Sequence, residues 1–182
     1  MTHTVTDSPD PSGTNRTRAH VHTFADIKPD FDAIVGAVNY ATMTTVDAKG
    51  RPRSRVLIPV WETETDHPVG WLGTYRTPVK AAHIAGNPHV TFSYWSPAQN
   101  TVAVDAVAEW TDDPGERAHV WDLYRHGSPP GAGYDPGQFW RGADDRAFQV
   151  LRLTPWRIQV LRRRDLVSGI PARLWRGQLQ GD

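Results

Sequence analysis

The sequence predicts a mainly β, α+β domain: an antiparallel six-stranded β-barrel with a few flanking helices. Runs rich in Val, Ile, Thr and aromatic residues recur along the chain, separated by short turns built from Gly, Pro, Asn and Asp. Consecutive runs joined by tight turns favour antiparallel pairing. The chain holds eight Trp, and Trp61, Trp71, Trp95, Trp110 and Trp156 all fall inside such runs. Aromatic side chains suit pleated, half-buried surfaces, so these five are expected to fill the core of a sheet that closes into a barrel.

In chain order, Phe31, Ile34, Val35 and Val38 recur at helical spacing and predict a short helix covering a barrel end. Residues 39–46 and 51–61 read as two strands around the turn Asp47-Ala48-Lys49-Gly50, a hairpin. Asp66-His67-Pro68 turns the chain into a strand over 69–74. Thr77 then stands as N-cap, Pro78 at the first helical position, Gly86 at the end and Pro88 just beyond, a complete set of helix boundaries. Strands follow over 90–95 and 101–111. A helix opens at Asp112-Asp113-Pro114, with Val120, Leu123 and Tyr124 as its core face. After a Gly/Pro-rich loop at 127–137 come two strands, 148–153 and 156–161, hinged at Thr154-Pro155. From Ser168 onward the apolar periodicity assigns no element.

At 182 residues the chain fits one domain with a sizeable core. Residues 1–20 read as a disordered tail rich in Ser, Thr, Asp, Pro and Gly, residues 21–165 as the barrel and residues 166–182 as an extension. Twenty basic residues balance twenty acidic ones, so no global field draws the protein to nucleic acid or an anionic membrane. The chain has no Cys. That excludes a disulfide framework and thiolate catalysis, and it fits a cytoplasmic setting. Apolar runs fall short of the roughly 20 residues that span a bilayer. No metal-binding motif is recognised around His20, His22, His83, His89, His119 or His126, and no nucleophile elbow, P-loop or dinucleotide fingerprint is present.

The chemistry concentrates in Gly73-Thr74-Tyr75-Arg76-Thr77-Pro78-Val79-Lys80. Hydroxyls, a guanidinium, an ammonium and the free N–H groups of a helix start converge there, which is what a phosphate requires. A capped helix with a solvent-facing Lys is the plainer alternative. Arg51, Arg53 and Arg55 occupy alternate positions of one strand and so share a face. Like charges so placed repel unless an anion or carboxylate neutralises them.

Residues 41–56, Ala-Thr-Met-Thr-Thr-Val-Asp-Ala-Lys-Gly-Arg-Pro-Arg-Ser-Arg-Val, resemble the opening hairpin of the pyridoxamine 5'-phosphate oxidase-like, FMN-binding split β-barrel superfamily. Residues 71–90 are similar to its phosphate loop, Lys-bearing helix and Asn-Pro-x-Val entry to the next strand, and residues 153–158 to its final strand. The resemblance implies a split barrel, a homodimer and one FMN, or a deazaflavin F-420, in each of two clefts between subunits. It implies that Arg55 meets the cofactor phosphate with Thr74 and Lys80, aided by Arg76 and Thr77. Val56, Leu57 and Ile58 would flank the isoalloxazine, and Thr101 would stand where the family has a ring-facing glutamine.

The chain departs from the oxidase proper in having Val79 where the family has Arg beside the Lys. The acid-Phe-Trp-Arg-x-His signature of that oxidase is missing at Gln159-Val160-Leu161, and Gln138-Phe139-Trp140 imitates it only upstream of the final strand. Pyridoxamine phosphate is therefore not the expected substrate. The expected activity is flavin- or deazaflavin-dependent oxidoreduction of a small organic molecule. The alternative is a non-catalytic barrel that sequesters flavin or haem.

Overall fold

The computed structural model describes residues 18–127 and 133–178. Nine strands and four helices follow in order: β1 (Ala19–His20), α1 (Lys28–Val38), β2 (Ala41–Val46), β3 (Pro52–Leu57), β4 (Val60–Glu62), β5 (Val69–Thr74), α2 (Pro78–Gly86), β6 (His89–Trp95), β7 (Thr101–Thr111), α3 (Pro114–His126), β8 (Gln149–Leu161), α4 (Arg163–Val167) and β9 (Arg173–Arg176).

All strands belong to one sheet, ordered β1-β9-β8-β7-β6-β2-β3, with β5 also on β8 and β4 on β5. Every pairing is antiparallel except β1 with β9. The long strand β8 explains the split. One of its edges pairs with β7 over nearly its whole length, whereas the other pairs with β5 through residues 149–153 and with β9 through residues 157–160. The change of partner falls at Thr154–Trp156, where Trp156 is an extra residue between the pairs Ala106↔Pro155 and Asp105↔Arg157. Such a bulge sharpens twist and bends the strand. The sequence placed two hinged strands here; the hinge is a bulge within one. The opposite correction applies to 51–61, where Pro59, which has no N–H to give a ladder, divides the expected single strand into β3 and β4.

The sheet is not closed by hydrogen bonds: its edge strands β3 and β4 are joined only through Ile58-Pro59. The described strands number nine, more than expected, because both chain ends contribute. Ala19 and His20, assigned to the tail, pair with Arg173 and Leu174 of the unassigned extension. Residues 1–17 and 179–182 lie outside the described residues.

The main core packs Phe31 of α1 edge-on against Trp61, and Trp61 edge-on against Phe92, with centroids 5.9 and 6.0 Å apart. The Trp61 indole N–H donates to Tyr94 Oη at 2.8 Å. A second cluster, including Trp71, Val120, Tyr124, Trp140 and Phe148, lies under α3. Trp61 and Trp71 thus fill cores as expected, but Trp95 is 62% exposed. Among the described residues no helix is long and apolar enough to cross a membrane.

Candidate functional site

β5 ends at Thr74 and α2 begins at Pro78, so the chain reverses within the three residues Tyr75-Arg76-Thr77. Thr77 takes the extended N-cap conformation, although its side chain makes no capping bond, and Pro78 follows in the first turn. Lys80, one turn into α2, folds back beneath this reversal. Its ammonium donates to Thr74 Oγ1 at 2.5 Å and to the Tyr75 carbonyl at 2.9 Å, and the residue is only 4% exposed. The solvent-facing Lys of the plainer reading is therefore absent.

Arg55 approaches from β3. Register pairs Met43 with Arg55 and Thr45 with Arg53, which puts both arginines on the inward side of the hairpin beside buried Met43 and Thr45. Arg55 Nη2 donates to Thr45 Oγ1 at 2.9 Å, and the same hydroxyl lies 2.9 Å from His83 Nδ1 on α2. Burial, and then the positive charge of Arg55, lower the Lys80 pKa to about 8. Arg55 is itself lowered by burial and by Arg53. Among the described residues neither Arg55 nor Lys80 forms an ion pair. Two mutually repelling, partly desolvated cations without a carboxylate partner are an arrangement whose repulsion an anion would relieve. Arg51, the third arginine of the alternation, is neutralised within its turn by Asp47 at 2.7 Å.

Beside these cations opens a cleft of about 340 Å³. Val56, Leu57, Ile58 and Thr74, all named from the sequence, line it. So do the aromatic side chains of Tyr40, Tyr75, Tyr134, Phe139 and Trp140. Tyr124 braces its floor: the buried phenol donates to the Ile58 carbonyl and accepts from the Gly73 N–H at 3.1 Å. One hydroxyl therefore fixes the Ile58 backbone beside the cleft to β5. The close approach demands glycine at 73, because a Cβ there would sit 2.6 Å from the Phe148 ring and 3.0 Å from that of Tyr124.

The remaining sequence-named residues lie apart. The Arg76 guanidinium stacks on the Trp110 ring, 5.0 Å from its centroid, and Thr77 is exposed at the start of α2. Thr101 begins β7, ten residues along that strand from Thr111, whose β8 partner Val150 adjoins the partner of Thr74. Thr101 is not among the described residues that line the cleft. Sequence reasoning missed Tyr124, His83 and the 134–140 wall. His83 follows Lys80 by three residues on one helix, a spacing that could have flagged it. Phe139 and Trp140 were noticed only as a misplaced imitation of a terminal signature. The loop at 127–137 is described only in part, since residues 128–132 lie outside the described residues. Among the described residues no group of three or more His, Asp or Glu is placed to hold a metal ion.

The described residues thus form an open split sheet with a cation pair beside an aromatic cleft. The family model described as pyridoxamine 5'-phosphate oxidase matches residues 27–162, and the chain belongs to that family. Solved structures agree on the fold. A protein related to general stress protein 26, of the pyridoxinephosphate oxidase family, from Clostridium acetobutylicum shares 12% identity at a TM-score of 0.61, over 83% of this chain and 94% of that one. General stress protein 26 from Bacillus anthracis shares 17% at 0.57, over 75% and 98%. A haem-binding protein from Mycobacterium smegmatis shares 18% at 0.53, over 71% of this chain and 51% of its own. No curated protein matches by sequence. The family includes flavin-binding oxidoreductases as well as haem-binding proteins.

Proposed function

We infer that the protein is an oxidoreductase that uses FMN or the deazaflavin F-420. In this reading the cofactor phosphate lies against Arg55, Lys80 and Thr74 with the α2 N-terminus, and the ring lies along Val56, Leu57 and Ile58. The observation that carries it is the buried Lys80 ammonium, held beside Arg55 with no carboxylate to neutralise either. The cofactor supplies hydride transfer when bound, and the protein supplies anchoring, orientation and a water-poor cleft. Titration of the purified protein with FMN and with F-420 tests this. Binding well below millimolar by either supports it, and no binding at that level by both contradicts it.

The haem alternative finds less support in this cleft. Among the described residues no His, Met or Cys lines it, leaving only tyrosine among the usual protein ligands of haem iron. The substrate is a small organic molecule other than pyridoxamine phosphate, because Gln159-Val160-Leu161 on β8 supplies none of the oxidase's terminal acid and aromatic groups.

A homodimer is part of the proposal, with nucleic acid and membrane excluded as partners and the cytoplasm as the setting. Register supports the dimer. Val56 pairs with Thr42, Thr42 with Ser93, and the next outward row holds Trp95 and Thr101. Val56 and Thr101 therefore share a sheet face, three strands apart, on which Val56 is 63% and Trp95 62% exposed. Burying that face against its own copy removes exposed apolar surface and offers Thr101 to the partner's cleft.

A further inference from the structure

Thr45 is fully buried, and its hydroxyl sits between two partners: Oγ1 lies 2.9 Å from Arg55 Nη2 and 2.9 Å from His83 Nδ1. A guanidinium can only donate, so Oγ1 accepts from Arg55. The single hydroxyl proton then goes to His83 Nδ1, because burying it unbonded would cost the full desolvation of the group. The bonds therefore run in one direction, from Arg55 through Thr45 to an imidazole whose Nδ1 accepts and whose own proton sits on Nε2.

This chain of bonds decides where the guanidinium points. Register sets Arg55 opposite Met43, and one end of the guanidinium rests there, Nη1 to Met43 Sδ at 3.9 Å. The stronger bond draws the other end diagonally across the hairpin, two residues along β2 to Thr45. Thr45 is anchored in turn to α2, the helix that carries Lys80. His83 follows Lys80 by three residues, so the two side chains leave neighbouring positions on one face of α2. Both partners of Arg55 are neutral, so its direction is fixed without its charge being cancelled. A long side chain already held in place loses less rotamer freedom when an anion arrives.

We propose, building on the phosphate reading above, that Thr45 and His83 are positioning residues of the anion grip: the buried hydroxyl, oriented by the His83 acceptor, holds Arg55 ready for the cofactor phosphate before the cofactor arrives. Neither residue needs to touch the cofactor. Their effect passes through Arg55 and is confined to the phosphate, because in that reading the ring lies along Val56, Leu57 and Ile58, outside the chain of bonds.

The test titrates the apoprotein with two ring-matched pairs: FMN against riboflavin, and F-420 against its deazariboflavin core, which lacks the phosphate and the tail beyond it. The affinity ratio within the pair that binds reads the phosphate grip, and the phosphate-free member controls for the fold. Thr45→Val keeps the shape and removes the hydroxyl, and His83→Leu removes the acceptor. Each is expected to cut the ratio at least about fivefold, the scale of one lost hydrogen bond. Affinity for the phosphate-free member should stay within about twofold. Thr45→Ser and His83→Asn, whose Oδ1 stands where Nδ1 did, should restore the ratio. In an Arg55→Ala background Thr45→Val should change it less than about twofold, because no guanidinium is left to position. A ratio unmoved by either Thr45→Val or His83→Leu, one left equally low by Thr45→Ser, a parallel loss of the phosphate-free member, or an undiminished effect in Arg55→Ala would overturn the proposal while leaving the phosphate reading intact. A wild type that binds neither cofactor, or binds the phosphate member of neither pair more tightly, would instead strike the phosphate reading, and this inference with it.

Discussion

Lys80 reaches back across the β5–α2 reversal to Thr74, Nζ to Oγ1 at 2.5 Å, and so buries a positive charge against a hydroxyl and a carbonyl instead of a carboxylate. Neutral acceptors satisfy its protons without cancelling its charge. The apoprotein therefore carries a local destabilisation that an anion relieves.

Replacing that charge should separate stability from binding. Lys80→Met keeps the stem and removes the buried ammonium, so the apoprotein is expected to melt no lower than wild type. FMN binding should nevertheless weaken by roughly 1.5 to 3 kcal/mol, the scale of a hydrogen bond to a charged group. Arg55→Ala should show a similar loss, and Lys49→Ala, on the β2–β3 turn, should show none. Calorimetry of the apoproteins with fluorescence titration of FMN checks all three; equal losses at all three positions would mean diffuse attraction rather than a phosphate grip.

The same group sets a pH dependence. Burial and then Arg55 lower Lys80 from 10.5 to about 8 in the folded chain. Between about pH 8 and 10.5 the unfolded chain thus holds a proton that the folded chain has released, and this group's contribution to stability rises with pH across that window. FMN affinity runs the other way, falling as pH climbs through 8 and the ammonium is lost. At pH 9 binding should draw in a proton, which calorimetric titration in two buffers of different ionisation enthalpy detects. Proton release at pH 9 would contradict the assignment.

Tyr124 links the two halves of the cleft through one hydroxyl. Tyr124→Phe leaves the Gly73 N–H and the Ile58 carbonyl short of a partner in a buried setting, an expected loss of about 1 to 3 kcal/mol in unfolding free energy. Denaturant melts measure it. A change below about 0.5 kcal/mol would show that water replaces the phenol.

How far the sequence reveals this arrangement depends on whether the signal is local. The boundaries of α2 follow from Thr77, Pro78 and Gly86, and β5 and β7 stand where alternation and turns put them. Local patterns also indicate Arg55, Thr74 and Lys80, since a strand alternation and a helix start are written in adjacent residues. What β1 and β9 do is not local: Ala19 and His20 near one end pair with Arg173 and Leu174 near the other, and neither run is long enough to announce a strand. Trp95 has a core residue's chemistry and an exposed position, because residue type alone does not tell which sheet face its own chain covers. The aromatic wall lies in a loop whose Gly and Pro residues obscure any period, and only the tertiary fold brings Phe139 to Tyr75.

The dimer makes its own prediction. Light scattering across a wide concentration range should give the mass of two chains, and Trp95→Glu, which places a charge on the shared face, should shift the protein toward one chain. Added FMN should oppose that shift by linkage. A lone subunit that binds FMN with full affinity would refute a site shared between copies.

The most direct test compares FMN with riboflavin, which carries the same ring without the phosphate, by equilibrium titration of the apoprotein near pH 7. With Arg55 and Lys80 both engaging the phosphate, FMN should bind tighter than riboflavin by at least about 2 kcal/mol, some thirtyfold. That gap should shrink severalfold in Lys80→Met. Equal affinities for the two, or no binding of FMN or F-420 below about a millimolar, would contradict a phosphate site at Lys80 and with it the proposed cofactor.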